Sequence, residues 1–288
     1  VLQLDGRRIL IEAMPRVFRL REYTPVRVFG GMASCTATLC HRHLALKVAW
    51  TETKPTQDLR QGELVTIEWA SKLEVEEGVV QIKALRSATM ADEYTNLFDT
   101  VPETWPVERT LIERGRVLIQ RLPRRFRHLF NAIFWDGQRF LRYLTGPASL
   151  NGPYAGLNGN FRHAIDVVDR ALDEAMRHPP MFLPLVILGG LLHDAGKTVC
   201  YQVDPVLPRF VETRAGQSGA YRAILLDWFA EACDKVSIHL PGAHQRALNE
   251  LLSVVGADAR WYTPETESYY RIETQLVAAT DSWTAMSN

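Results

Sequence analysis

Between residues 17 and 88 the apolar positions come in short alternating or β-branched runs: 26–29 (VRVF), 36–39 (TATL), 44–50 (LALKVAW), 64–69 (LVTIEW) and 78–85 (GVVQIKAL). A period of two sends successive side chains to opposite faces, so each run predicts a strand. The pieces between them, Gly30-Gly31, residues 53–56 (TKPT) and Gln61-Gly62, carry turn chemistry. So many short strands in so few residues predict a small closed β-barrel.

The period changes after a proline-rich joint at 99–106 (DTVPETWP). Val107, Leu111, Val117, Leu118 and Leu122, then Phe126, Leu129, Phe130, Ile133 and Phe134, recur at helical spacing. Further on, Ile165, Val168 and Leu172 share one helical face, 182–190 (FLPLVILGG) is an apolar helix, and another apolar helix runs through 276–279 (LVAA). The pattern predicts an α+β, multidomain chain. Residues 1–95 form the barrel, 96–146 a set of basic connecting helices, and 147–288 an all-helical bundle.

Composition adds limits. At 288 residues and 47% hydrophobic the chain is long enough for a substantial core. No stretch reaches the roughly 18 apolar residues of a membrane span, and the first residues lack a signal-peptide layout, so a soluble cytoplasmic protein without membrane contact is expected. The chain opens on Val1 rather than methionine and stops soon after Asp281, which reads as a piece or processed form of something longer. Cys35, Cys40, Cys200 and Cys233 are too scattered for a disulfide framework. Cys35, Cys40, His41 and His43 crowd together like zinc ligands, but in an extended strand Cys35 and Cys40 point to opposite faces, and so do Cys40 and His41.

Lys plus Arg and Asp plus Glu both number 33, so any polyanion would have to be met by a local patch. The stretch holding Arg114, Arg116, Arg121, Arg124, Arg125, Arg127, Arg139 and Arg142 has few acids. It reads either as a solvated helix face or as a surface for a phosphate backbone.

The sharpest chemistry is in 191–197 (LLHDAGK), where His193 and Asp194 are adjacent at the end of an apolar helix. An imidazole and a carboxylate diverging from one helix end can share a divalent ion if other elements supply the remaining ligands. His163 begins a helix with an apolar face. Asp281 is a lone carboxylate closing an apolar helix, costly there unless paired or metal-bound. Each alone has an ordinary reading as a capped or salt-bridged residue.

The phrases 37–50 (ATLCHRHLALKVAW), 59–69 (LRQGELVTIEW) and 76–88 (EEGVVQIKALRSA) resemble strand signatures of OB-fold domains that bind nucleic acid ahead of an HD domain. Together with 142–168 (RYLTGPASLNGPYAGLNGNFRHAIDVV), 188–198 (LGGLLHDAGKT), 214–220 (RAGQSGA) and 262–283 (YTPETESYYRIETQLVAATDSW), the chain resembles the bacterial 3′-to-5′ exoribonucleases built from an OB-fold plus an HD domain, the YhaM-like proteins. It resembles more distantly the TraI-like conjugative relaxases that carry an HD-like domain. The resemblance implies an HD phosphohydrolase bundle. Its divalent ion, manganese, iron or magnesium, would be held by His163, His193, Asp194 and Asp281. Asp194 and Lys197 would be catalytic, with Lys197 facing a phosphate, and Asp166 is a candidate to orient a ligand histidine.

The chain also departs from the pattern. Pro153-Tyr154 stands where a His pair is usual, 218–220 (SGA) where a Gly-His follows, and 253–256 (SVVG) where a Ser-His-His-Gly phrase is expected. The histidines of a second metal position are absent, and His239 and His244 are the nearby ones left to weigh.

The expected function is therefore a metal-dependent phosphodiesterase acting on single-stranded RNA or DNA, weakened by the missing histidines. Arg124, Arg125 and Arg127 would contact phosphates, and Trp50 and Trp69 are candidate stacking platforms for bases or else core packing. The alternatives are a catalytically degenerate HD scaffold that binds nucleic acid, a relaxase-like DNA-processing protein, and a small-nucleotide hydrolase. Self-association into a homo-oligomer stays open.

Overall fold

The computed structural model describes residues 2–4, 7–9, 11–27, 32–42, 44–53, 59–72, 74–177, 181–236, 242–254 and 271–286. The chain is α+β, a sheet of strands followed by a helical region. It divides into two compact units, one of residues 1–91, 95–105 and 135–138, the other of residues 92–94, 106–134 and 139–288. Residues 96–146, expected as one connecting segment, are thus shared out between the units. No helix among the described residues is long and apolar enough to cross a membrane.

In the first unit a hairpin of β1 (Leu2–Leu4) and β2 (Arg7–Ile9) precedes a larger sheet. Its strands are β3 (Phe18–Arg27), β4 (Ala33–His41), β5 (Leu44–Glu52), β6 (Leu64–Glu68), β7 (Val75–Glu76), β8 (Val79–Gln81) and β9 (Ala84–Ser87), in the order β7-β8-β5-β4-β3-β6-β9. The period of two is realised along β5 and the first half of β4, whereas Ala37 to Cys40 is buried on both faces. Cys35, Ala37 and Leu39 of β4 and Leu46, Val48 and Trp50 of β5 are buried with Phe18, Leu20, Val65, Val80 and Leu85, while Thr36, Ala45 and Lys47 between them are exposed. Glu77 and Gly78, with φ of 50° and 79°, supply the two positive-φ positions of the tight turn between β7 and β8.

Strands β8 and β9 lie on one short run but pair with different partners. β8 runs parallel to β5 through Lys47↔Val79 and Ala49↔Gln81, and β9 runs antiparallel to β6 through Val65↔Ser87 and Glu68↔Ala84. At the join, Ile82 N donates to Ala49 O and Lys83 N donates to Glu68 O, both at 2.9 Å.

The helices begin with α1 (Arg109–Arg121), α2 (Arg124–Phe134), α3 (Gly137–Thr145), α4 (Gly159–Ala175) and α5 (Leu183–Leu192). After a small hairpin of β10 (Tyr201–Val203) and β11 (Phe210–Glu212) come α6 (Arg214–Gln217), α7 (Tyr221–Val236), α8 (Gly242–Val254) and α9 (Arg271–Met286). Helix α5 is apolar on every side and buried from Leu185 to Leu192, as expected of a helix surrounded by others.

Its two glycines set the packing distance. A Cβ on Gly190 would stand 2.5 Å from Val168 Cγ2 of α4, and one on Gly189 2.5 Å from Leu251 Cδ1 of α8. Since Gly190 meets Val168 while His193 meets His163, α4 and α5 run antiparallel. Phe182 N donates to Glu273 Oε1 at 2.8 Å, and His193 lies by Asp281, so α5 and α9 run parallel. Helices α4 and α9 are therefore antiparallel to each other.

Candidate metal centre

Each element that carries a candidate ligand is anchored by its own backbone chemistry. Asn158, at φ 63°, turns the chain into α4 and is almost fully buried; its amide donates to Pro106 O and Leu144 O, both at 2.9 Å, and accepts from Glu108 N at 3.3 Å. His163 follows on the first turns of α4. His193 terminates α5, where its backbone N bonds Gly189 O, and its ring Nδ1 donates to Gly190 O at 2.7 Å. That bond fixes the tautomer and leaves the Nε2 lone pair facing inward. Asp194 stands at the break between α5 and the 3-10 turn Ala195–Val199, so its carboxylate leaves the helix line and swings beside the histidine.

The four side chains converge. His163 Nε2 lies 2.9 Å from Asp281 Oδ1, 3.2 Å from His193 Nε2 and 3.5 Å from Asp194 Oδ2. His193 Nε2 is 3.6 Å from Asp194 Oδ2 and 3.5 Å from Asp281 Oδ1. All four ligand atoms lie within 4.8 Å of one another, and among the described residues no other group of three or more His, Cys, Asp or Glu converges in this way. Neighbouring ligands on one ion at about 2.1 Å stand about 3.0–3.4 Å apart, a spacing that the contacts of His163 and His193, 2.9–3.6 Å, approach. His193 is 0% exposed, and His163 and Asp194 are each 4%.

The electrostatics point the same way. Burial pushes the carboxyls of Asp194 and Asp281 upward, yet the imidazoles beside both, and Lys197 beside Asp194, hold them below the usual carboxylate range. Burial likewise works against charge on His193, and Asp194 and Asp281 outweigh it, raising the imidazole. With neutral imidazoles, two carboxylates face one ammonium, leaving a buried excess of negative charge. Two nitrogen lone pairs and two carboxylates around one point are a donor set that fits a divalent cation.

Other expected residues are placed differently. Lys197 Nζ donates to Asp194 Oδ2 at 2.6 Å and lies 5.4 Å from the centre of the Tyr221 ring, so its charge is directed at a ligand carboxylate. Asp166 accepts from the Tyr154 hydroxyl at 2.9 Å and not from a ligand histidine. Tyr154, a departure from the family pattern, packs its ring 4.8 Å from that of His163. No periodicity signals such a contact, because it depends on the loop before α4 folding back. His244 stacks on Phe182 at 4.6 Å and takes no part in the cluster. His239, His43 and Val255 lie outside the described residues, as does the phrase 255–270, and the side chain of Val254 is also outside them.

The nucleic-acid candidates separate by burial. Trp50 is 4% exposed and stacks on Tyr23 in the core of the first unit, so its faces are closed to bases. Trp69 is partly buried against the same core. In the second unit Arg127 is turned to the end of α1, donating to Gln120 O at 3.4 Å and Leu122 O at 3.3 Å, which gives it a helix-capping role. Arg114 forks onto Asp169, Arg116 bonds Glu113, and Arg139 bonds Ile133 O and covers the Trp228 ring. Arg121, Arg124, Arg125 and Arg142 are exposed.

Comparison of the chain with protein-family models, with curated proteins and with solved structures finds no match in any of the three.

Proposed function

We propose that the protein is a divalent-metal-dependent phosphodiesterase of the HD type acting on single-stranded nucleic acid, with an OB-type barrel as its first unit. The observation that carries the catalytic half is the convergence of His163, His193, Asp194 and Asp281 in one buried cluster, in the chain order His, His-Asp, Asp. Support for the barrel is the run 79–87, which is parallel to β5 at one end and antiparallel to β6 at the other, the pairing that closes a five-stranded OB topology.

In this reading His163 and His193 offer Nε2, and Asp194 and Asp281 one carboxylate oxygen each. A bound divalent ion would supply an activated water and polarise the phosphoryl oxygen. His193 is kept in the ligating tautomer by Gly190 O. Lys197 neutralises Asp194. The exposed Arg121, Arg124, Arg125 and Arg142 are the candidates for backbone phosphates. Purified protein loaded with manganese, iron or magnesium, offered RNA and DNA oligomers, should cleave one of them, and Asp194→Ala should not. Cleavage that survives this substitution, after a contaminant control, removes the cluster from the chemistry.

One observation favours a second reading, a scaffold that binds nucleic acid without cutting it. The Tyr154 ring packs at a tilt against that of His163 where the resemblance has histidines, so the imidazoles of a second metal position are missing there. Single-metal chemistry lacks the clamp on the leaving oxygen, and the proposed activity is correspondingly slow. An ion that binds with no turnover on either oligomer would establish this reading.

A further inference from the structure

Behind the ligand cluster lie buried polar atoms without a hydrogen-bond partner among the described residues: both ends of the Asn160 amide, the Nδ1 of His163 and the hydroxyl of Thr284. Asn160 and Thr284 are 0% exposed. Buried amides and hydroxyls are costly when unpaired, and an Asn among Phe161, Ala164 and Ile165 gains nothing from packing that a Leu would not give.

Helix geometry brings these groups to one level. Asn160 is three residues before His163 on α4, and Thr284 is three residues after Asp281 on α9. The two helices are antiparallel and meet where His163 Nε2 contacts Asp281 Oδ1 at 2.9 Å. Three residues are about 4.5 Å of rise, so both side chains sit one turn beyond that contact, toward the same end.

Their chemistry selects the occupant. The amide offers two donors and an acceptor, the hydroxyl one donor and an acceptor, and a ligating imidazole one Nδ1–H. An anion is disfavoured by Asp194 and Asp281, and a cation finds no charge on the amide or hydroxyl. Water is small, neutral, and both donor and acceptor. His193 meets the need of its own Nδ1–H through Gly190 O, whereas His163 has no such partner.

We propose that Asn160, Thr284 and His163 Nδ1 enclose a buried water site, which makes Asn160 a positioning residue for His163. When Nε2 ligates an ion, the water accepts from Nδ1–H and is itself held by the amide and the hydroxyl, which fixes the orientation of the ring. The proposal rests on reading that cluster as a metal centre.

The test uses the whole chain as wild type, Asn160→Leu, Thr284→Val and Thr284→Ser. Two quantities are measured: Mn²⁺ affinity by titration calorimetry, and the density between residues 160 and 284 in a high-resolution crystal structure of each variant. Wild type should show an ordered water touching Asn160, Thr284 and His163 Nδ1. Asn160→Leu should lose that water and weaken Mn²⁺ by about 10- to 100-fold. Thr284→Val should weaken it less, and Thr284→Ser should restore the wild-type water and affinity. A dry contact between the two residues, or an affinity unchanged in Asn160→Leu, overturns the proposal. If Asn160→Leu does not fold, Thr284→Val and the wild-type density decide it. If wild type binds no Mn²⁺, the metal reading fails separately, and the density still decides the water site.

Discussion

In the first unit the guanidinium of Arg19 is fully buried, and each of its three nitrogens has a partner. Nε and Nη2 donate to Thr100 Oγ1 at 3.1 and 2.9 Å, Nη1 donates to Gly62 O at 2.7 Å, and its central carbon lies 4.9 Å from the centre of the Trp105 ring. In the second unit His163, His193 and Asp194 are nearly as buried and Asp281 is partly so, but their ligand atoms converge, and the His163 Nδ1 behind them is unpaired among the described residues. Arg19 spends its hydrogen bonds inward and works as a fastener between β3 and the loops around it. The cluster leaves negative charge and lone pairs in excess, the condition for holding a cation. Burial alone does not separate structure from function; the balance of donors against acceptors does.

The largest effect that would break this comparison is on ion binding. At an Mn²⁺ concentration 1,000 times its dissociation constant, the wild type should gain about 4 kcal/mol of stability, and Asp194→Ala should gain none. Thermal melts with and without the ion check this; equal gains in both proteins would place the ion elsewhere. Metal-free Asp194→Ala should also melt lower, since Lys197 loses its buried partner.

Arg19→Met should cost about 3 kcal/mol, because Gly62 O is left unpaired and the charge-assisted bonds to Thr100 are lost. This loss should be the same with and without Mn²⁺. A loss that grows in the presence of the ion would give Arg19 a part in metal binding and end the contrast.

Acid sharpens the comparison further. Asp194 and Asp281 titrate lower in the folded protein than in the unfolded chain, so the unfolded chain binds more protons as pH falls. Their stabilisation is full above an unfolded carboxylate value of about 4 and is lost below it, through the folded values. His193 acts oppositely: raised on folding, it stabilises the metal-free protein below about pH 6.5 and loses this as pH rises through its folded value. Metal-free melts from acid to neutral pH should show both limbs, and Asp281→Asn should flatten the acid one. An unchanged acid limb in that variant would assign acid sensitivity to other carboxylates.

The smallest expected effect concerns the arginines. Replacing exposed Arg124 or Arg125 with Glu should reduce the slope of log affinity for single strands against log salt by about 1 each, with melting temperature unchanged. Arg127→Ala should instead lower stability by about 1 kcal/mol through the lost bonds to the end of α1. The reverse pattern, read by salt titration and thermal melts, would exchange their roles.

The sequence by itself determined the α+β order, strands by a period of two and then helices by a period of 3.6, because a half-buried surface writes its periodicity into the residues that cover it. It also singled out the ligand candidates. An acid in an apolar helix, such as Asp281, or a His-Asp pair ending one, is chemically out of place wherever the chain folds. Their meeting was another matter. His163 and Asp281 are 118 residues apart, and only the close approach at Gly190 and the antiparallel run of α4 against α9 bring them to 2.9 Å. Trp50, Arg127 and Lys197 were chemically plausible candidates whose side chains the fold had already committed to a core, a helix end and a carboxylate. Tyr154 and Asn160 carried no signal, since what each touches depends on a loop turn and on a neighbouring helix. Local pattern is set by neighbours in sequence, whereas charge balance and unpaired atoms are properties of neighbours in space, and those exist only once the chain is packed.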